Sequence, residues 1–292
     1  MTHVKLVQPL ETTGIHIRDQ YSPEDTAMMQ ALYSRSPDSV LNHEKKVEEQ
    51  GSEKFMDIFY VGYDHKSIGD CGTTTIFIEG VSMITAKILQ DWQLYSGQEA
   101  STRYLDWSKQ SVIDPLNTEL SRSIIQKMMN FYAWAQPKLV EFLKEKYAMK
   151  EGETEKQYEK AINARSFDIL RGFLPSGAQT NLSWHTNLRQ AGDKLQKMIH
   201  HPLPEARILA EKILLQLKEK YTGSFNFRDY PEGEEYTKME MEELAFYDPW
   251  YVNKPTHVMD GEVSMKTQIC AMDLLPFKKF IDQRPKYTNL PV

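Results

Sequence analysis

The stretch Leu116–Met149, LNTELSRSIIQKMMNFYAWAQPKLVEFLKEKYAM, constrains the fold more than any other part of the chain. Its apolar residues recur at helical spacing, and Pro137 in its middle predicts a kink or a split into two helices. The Met and aromatic positions read as core rather than as a cofactor contact, because a stripe at this spacing is what helix packing requires. Other helix signals surround it. Ser22 and Pro23 open a helix in SPEDTAMMQALYSRS, and MITAKILQDW spaces Ile84, Ile88 and Trp92 four apart on one apolar face. Thr154 and Gln157 have capping-box spacing and predict a helix through Phe173, which LPSGAQ stops. Ser176 and Gln179 repeat that spacing, so Thr180, Trp184, Leu188, Ala191, Leu195 and Met198 read as the apolar stripe of a following helix. HHPLPEARILAEKILLQLKEKY predicts a last helix with Pro204 near its first turn.

Strand signals are scarcer. TTTIFIEGVSM carries β-branched and aromatic residues from Thr73 to Ile78 and then Gly80, which reads as a strand ending in a turn. From Thr222 to Pro255 the chain is polar and aromatic without a period, as in a long loop or linker. Beyond it, Val-Ser-Met at 263–265 echoes Val-Ser-Met at 81–83, a faint repeat that would make the tail the start of a second, partial copy. The expected organisation is one domain over 1–222 and a linker with C-terminal extension over 223–292.

A chain of 292 residues with 40% hydrophobic and 11% aromatic residues has ample material for a packed core. Its net charge of -6 argues against a nucleic-acid polymer as partner, so an anionic ligand must be held by a few placed cations. Cys71 and Cys270 are too few for a disulfide framework or a thiolate metal site. His200 and His201 are adjacent and precede Pro202, which makes them surface residues and poor joint metal ligands. No apolar run has membrane-spanning length and MTHVKLVQPLETTG lacks a signal-peptide core, so the expectation is a soluble, cytoplasmic protein.

The chemistry concentrates in LYSGQEASTRYLDW, Leu94–Trp107. If this stretch is extended, Glu99, Ser101 and Arg103 point to one side, because strand side chains alternate with period two. The guanidinium can hold a phosphate bidentately, the hydroxyl can donate to it, and the carboxylate can accept from a sugar hydroxyl or orient the Arg. The plainer reading makes Ser96 and Glu99 a capping box, with Arg103 solvated on the next turn. A helix start also presents backbone N–H groups to an anion, so both readings stay open.

SGQEASTRY resembles the second half of the signature of flavin-dependent thymidylate synthases, an Arg-His-Arg triplet followed by x-x-Ser-x-Asn-Glu-x-Ser-x-Arg-Tyr. Ser96, Glu99, Ser101, Arg103 and Tyr104 match in register, with Gln98 in place of the Asn. GYDHKSIGDCGTTTIFIEGVS is similar to the family's Gly-His-x-Ser stretch and the strand after it, ARSFDILRGFLP to its Ala-Arg…Leu-Pro segment, and WHTNLR to its Trp-Thr-Val-Asn-x-Arg. Four ordered blocks spread over about 55–220 are more specific than any one of them. Departures are equally visible. Asp91, Trp92 and Gln93 replace Arg-His-Arg, and Asp70-Cys71 replaces a Glu-His. A further Arg expected near Met198 has its nearest candidate, out of register, in Arg207.

The resemblance implies an α/β (α+β) fold, a mainly antiparallel sheet flanked by helices, in a homotetramer with active sites between subunits. It implies FAD-mediated transfer of a one-carbon unit from methylenetetrahydrofolate to C5 of dUMP, with NADPH as reductant. Carried over by residue, Ser96, Gln98, Glu99, Ser101 and Arg103 bind the pyrimidine nucleotide, while His65, Asn187 and Arg189 face the cofactor; no catalytic residue is assigned. Asn187 lies on the edge of the apolar stripe and, if buried, needs a hydrogen-bond partner. Cys71 would be a nucleophile only with a depressed pKa. The competing readings are a nucleotide-binding homologue without flavin chemistry, and one half of a two-copy protein whose related second chain completes the site.

Overall fold

The structure, a computed structural model, describes residues 15–101, 103, 107, 110–227 and 231–240. In chain order its elements are α1 (Pro23–Tyr33), α2 (Val40–Gln50), α3 (Glu53–Phe55), a π-helical stretch (Met56–Gly62), a 3-10 turn (Lys66–Cys71), β1 (Thr73–Ser82), α4 (Met83–Gln90), α5 (Glu119–Lys146), α6 (Glu155–Leu170), a second 3-10 turn (Arg171–Phe173), β2 (Gln179–Asn187), α7 (Leu188–Met198) and α8 (Pro204–Lys220). A further helix covers 231–240, inside the stretch read as a loop; Pro231 at its start fits the first turn of a helix, where the missing N–H costs nothing. The fold is α/β (α+β), helix-rich around a small antiparallel sheet of β1 and β2.

Ser22 and Thr154 cap helices where the sequence puts them, whereas Ser176 and Gln179 cap none, because Gln179 opens β2. Ser22 accepts the Asp25 N–H at the start of α1, and Thr118 with Ser121 and Thr154 with Gln157 close reciprocal capping boxes on α5 and α6. α2, opened by Ser39, carries too few apolar residues to announce itself. Pro137 does not split α5, which runs unbroken for 28 residues. In α4 the buried face is Thr85, Ala86 and Leu89, while Ile84 is 43% exposed. The expected face of Ile84, Ile88 and Trp92 is therefore corrected: Ser82, the N-cap, is clamped by Glu205, which accepts its N–H at 2.8 Å and its hydroxyl at 2.6 Å. That clamp fixes which side of a single two-turn helix faces inward.

Two compact units share the chain, the first made of the described residues of 1–74, 187–189 and 216–228, the second of those of 75–186, 190–215 and 229–292. In the first, α1 packs on α2 and on the 3-10 turn at 66–71, around Met28, Met29 and Val47. Glu24 is buried there and accepts a hydrogen bond from the buried Ser224 hydroxyl. Burial raises its carboxyl above the usual glutamate range, a shift the Ser224 bond only partly reverses.

In the second unit, Trp107, Tyr132, Ala135, Leu170, Leu174 and Ala178 form a core that joins α5 to α6 and to the start of β2. β2 is the main correction to the helical reading. The burial of Thr180, Leu182, Trp184 and Thr186, each 4% exposed or less, alternates with period two, and the helical period resumes in Leu188, Ala191, Leu195 and Met198. Gly80 does not end β1 either: at φ +69° it sits inside the strand, its N–H donating to Asn181 Oδ1 and its carbonyl accepting from Gln179 Nε2, both at 2.8 Å. Two amide side chains thus stand in for a broken ladder, as in a bulge built on glycine. Nor is α5 core all along its aromatic stripe. Phe131, Trp134 and Phe142 are 40, 60 and 54% exposed, with Leu120 and Ile124 beside them, because apolar residues wrap further round the helix than one core covers.

Trp184, fully buried on β2, is expected to cost about 3–5 kcal/mol when truncated to Ala. Urea denaturation checks this. Glu24→Gln should have a pH signature. A carboxyl raised by folding destabilises the native state only once it ionises, so the variant should match wild type below the ordinary glutamate pKa and become relatively more stable as pH rises through the raised value. Melting temperatures across pH 4–8 measure it.

Candidate functional site

Residues 96–100 run antiparallel along the edge of β2 opposite to β1. His185 N–H donates to Ser96 O and Ser183 N–H to Gln98 O, both at 2.7 Å, and Ala100 N–H donates to Asn181 O at 2.8 Å. The capping-box reading of Ser96 and Glu99 is thereby corrected, since both residues are bridged to β2 as extended chain. Gly97 makes the approach possible: a Cβ there would lie 1.9 Å from Ser183 O. The backbone of Gln98 is tied further by the Ser183 hydroxyl, which accepts its N–H at 3.1 Å.

Side chains of this segment serve two different helices. Glu99 turns to α4, where its carboxylate accepts from Gln90 Nε2 at 2.8 Å and from Lys87 Nζ at 3.4 Å. Arg103 turns to α6 and forks onto Asp168, with Nε 3.1 Å from Oδ1 and the second nitrogen on Oδ2. The Ser101 hydroxyl accepts the Arg103 N–H at 3.4 Å. Glu99 and Arg103 therefore do not converge as an uninterrupted strand would make them, because each has a nearer partner of opposite charge or complementary donors. Nor is Arg103 merely solvated. Its guanidinium, with help from Arg171 at 3.5 Å, holds the Asp168 carboxyl below the usual aspartate range. The Arg103 side chain is still 48% exposed.

In the first unit, Asn187 and Arg189 meet on one carboxylate. Asp70 Oδ1 accepts from Asn187 Nδ2 at 3.1 Å and from Arg189 Nε at 2.8 Å. The partner that Asn187 required is Asp70. The arrangement is held by Leu188 N–H on Gly72 O, and by Gly72 itself, where a Cβ would lie 2.3 Å from Pro23 O. His65 takes no part in this cluster: it is exposed, with its ring grouped with those of Phe59 and Tyr63, 6.4 and 6.0 Å away, which are 5.8 Å from each other. An acceptor-rich cofactor such as FAD fits this donor set, since the guanidinium and the amide are held in place by a carboxylate at the unit's partly exposed surface.

Other candidates take structural roles. Burial, and then the Asp70 charge, raises the Cys71 thiol, which donates weakly to Ser67 O, so the activated nucleophile is not there. Arg207 donates to the His201 and Pro202 carbonyls at 2.7 and 2.9 Å, bracing the turn into α8, and Met198 is buried. His200 and His201 are half-buried rather than on the surface, and His201 Nδ1 accepts the Leu203 N–H. Among the described residues no group of three His, Cys, Asp or Glu side chains could hold a metal. Sequence reasoning missed Asp70, Gln90, Lys87 and Asp168 as partners of the candidate residues. Asp70 had a visible signal, an acid where the signature-like block carries a Glu.

The model of the thymidylate synthase complementing protein family, Thy1, matches residues 19–221. Among curated proteins, the UPF0159 protein Ta1429 of Thermoplasma acidophilum is 22% identical over 234 residues, which are 68% of this chain and 47% of that protein. A UPF0159 protein of Chlamydia muridarum is 25% identical over 198 residues, 63% of this chain and 37% of its own length. The chain thus spans less than half the length of the curated relatives it matches. Among solved structures, thymidylate synthase X from Helicobacter pylori with FAD and dUMP is 16% identical, with a TM-score of 0.42 over 70% of this chain and 94% of that one.

Gly97→Ala tests the strand geometry. A methyl group 1.9 Å from Ser183 O forces the 96–100 segment off β2, and the expected loss is about 1–3 kcal/mol in denaturant unfolding, with faster hydrogen exchange at the His185 and Ser183 amides.

Proposed function

The chain belongs to the thymidylate synthase complementing protein family, and on that footing we propose that it binds a pyrimidine deoxynucleotide, dUMP, and transfers a one-carbon unit to its C5. The observation that carries this reading is the Arg103–Asp168 fork. A guanidinium held by a carboxylate and half open to water is preorganised for a phosphate, which replaces the carboxylate with the same bidentate geometry. Ser101, one turn of chain away, has a hydroxyl to donate to the same phosphate. Glu99, steadied by Gln90 and Lys87, keeps acceptor capacity for a sugar hydroxyl. Ser96 and Gln98 hold the segment on β2 through their backbones.

Asn187, Arg189 and, through its aromatic stack, His65 would hold FAD, which when bound supplies the redox chemistry of the transfer. Methylenetetrahydrofolate is the one-carbon donor and NADPH the reductant in this reading. Its catalytic domain is 1–222, with 223–292 an extension, and it works in the cytoplasm as a homotetramer or together with a related second chain. Among the described residues no helix is long and apolar enough to cross a membrane. A second reading, nucleotide binding without flavin chemistry, is favoured by one observation: Asp91, Trp92 and Gln93 stand where the signature has its cationic triplet.

Calorimetric titration of dUMP, with and without FAD, tests both. Arg103→Ala should weaken dUMP binding about tenfold or more. Asp168→Asn should strengthen it several-fold by removing the competing carboxylate. FAD should tighten dUMP binding if the flavoenzyme reading holds; equal binding with and without it favours the second reading. No dUMP binding by the wild-type chain in either condition overturns both.

A further inference from the structure

Helix α4 ends at Gln90, and its C-cap residue Asp91 offers its backbone carbonyl to the Lys194 ammonium at 3.0 Å. Lys194 comes from the middle of α7 and is only 8% exposed, with Nζ 5.7 Å from the centre of the Trp92 ring. A carbonyl carries no net charge. It takes one of the three N–H donors, and the Trp92 ring face and the nearby Asp91 charge offset the buried charge only in part. Neighbouring cations add to the imbalance. Burial lowers the Lys194 amine, nearby Asp91 offsets this in part, and Lys197 lowers it again. His201 is lowered by burial and then by the charges of Lys194 and Arg207.

Beside this group the indole N–H of Trp92 is buried and has no acceptor among the described residues. A buried cation short of counter-charge next to a buried donor short of an acceptor specifies the missing group: one with negative charge and several acceptor oxygens. The turn that carries Trp92 is exposed at Asp91, Gln93 and Leu94, so the donors lie just beneath the surface. We propose that Lys194 and Trp92 form a subsite for an oxyanion of the phosphate class. dUMP has one phosphate, which the reading above gives to Arg103, so the oxyanion here is either that phosphate, held in place of Arg103, or a separate ion of the phosphate class; the subsite itself does not rest on that reading. It falls at Asp91–Gln93, where the chain departs from the signature, and it draws its cation from a different helix.

The plainer role for Lys194 is to cap α4, whose C-terminal carbonyls favour a cation, and the test separates the two. Melting temperatures are measured in potassium phosphate against potassium chloride at matched ionic strength, and dUMP and deoxyuridine are titrated calorimetrically, for wild type, Lys194→Met, Lys194→Arg and Trp92→Phe. The subsite predicts a phosphate-induced rise in melting temperature that Lys194→Met abolishes, Trp92→Phe reduces and Lys194→Arg largely retains. If the oxyanion is the dUMP phosphate, Lys194→Met weakens dUMP about tenfold or more with deoxyuridine affinity unchanged and Arg103→Ala does not; if it is a separate ion, Arg103→Ala weakens dUMP and Lys194→Met does not. Should Lys194→Met fail to fold, the Arg and Phe variants carry the same comparison. A phosphate effect identical in wild type and all folded variants overturns the subsite, as does no phosphate effect in wild type. A wild type that ignores dUMP yet shows Lys194-dependent stabilisation by phosphate overturns the nucleotide reading and supports the subsite.

Discussion

Strand β2 is the element on which the second unit depends, because both of its edges and both of its faces are in use. Its even-numbered residues, Thr180, Leu182, Trp184 and Thr186, bury their side chains. Their odd-numbered neighbours turn the other way and work on adjacent backbone or polar groups: Asn181 on Gly80, Ser183 on Gln98 and His185 on Thr75. The same odd residues donate or accept along the edge that holds 96–100. A one-residue slip would bury the polar set and expose Trp184, so the register is strongly specified. The 96–100 segment inherits that precision, since Gly97 brings its backbone against Ser183 with no room for a side chain.

Helix α4 shows the same economy of charge. Its N-terminus is closed by Ser82 with the Glu205 carboxylate, and its C-cap carbonyl by the Lys194 ammonium, so an anion and a cation sit at the ends the helix dipole favours. Both come from a sequence-distant part of the chain. A helix of eight residues is marginal alone, and these two contacts together with Ala86 and Leu89 in the core give it a defined place.

Much of this was legible because local chemistry writes itself into short spacings. Ser22–Pro23, Thr154–Gln157 and Pro204 marked helix starts that the structure keeps. The family blocks marked the segments that carry Arg103, Asn187 and Arg189. The failures share a cause: period four fits both a helix and every second turn of a strand, so Thr180, Trp184 and Leu188 could not distinguish them without Leu182. Partner choice was illegible for another reason. Residues 96–100 are extended along β2, but which carboxylate Arg103 meets depends on α6 and which donors Glu99 meets depends on α4. No local pattern reports such tertiary neighbours, and the exposed aromatic side of α5 was hidden likewise, since a helix's sequence does not say how much of its apolar surface the core will cover.

The glycine bulge in β1 also sets an order of events. Gly80 leans on the side chains of Asn181 and Gln179, 101 and 99 residues further along. Until those residues leave the ribosome, on the order of ten seconds later at ordinary synthesis rates, β1 has neither its partner strand nor the two amides that make its left-handed residue tolerable. The segment Thr73–Ser82 must therefore wait as unpaired, β-prone chain while α5 and α6, whose contacts are local, assemble ahead of it.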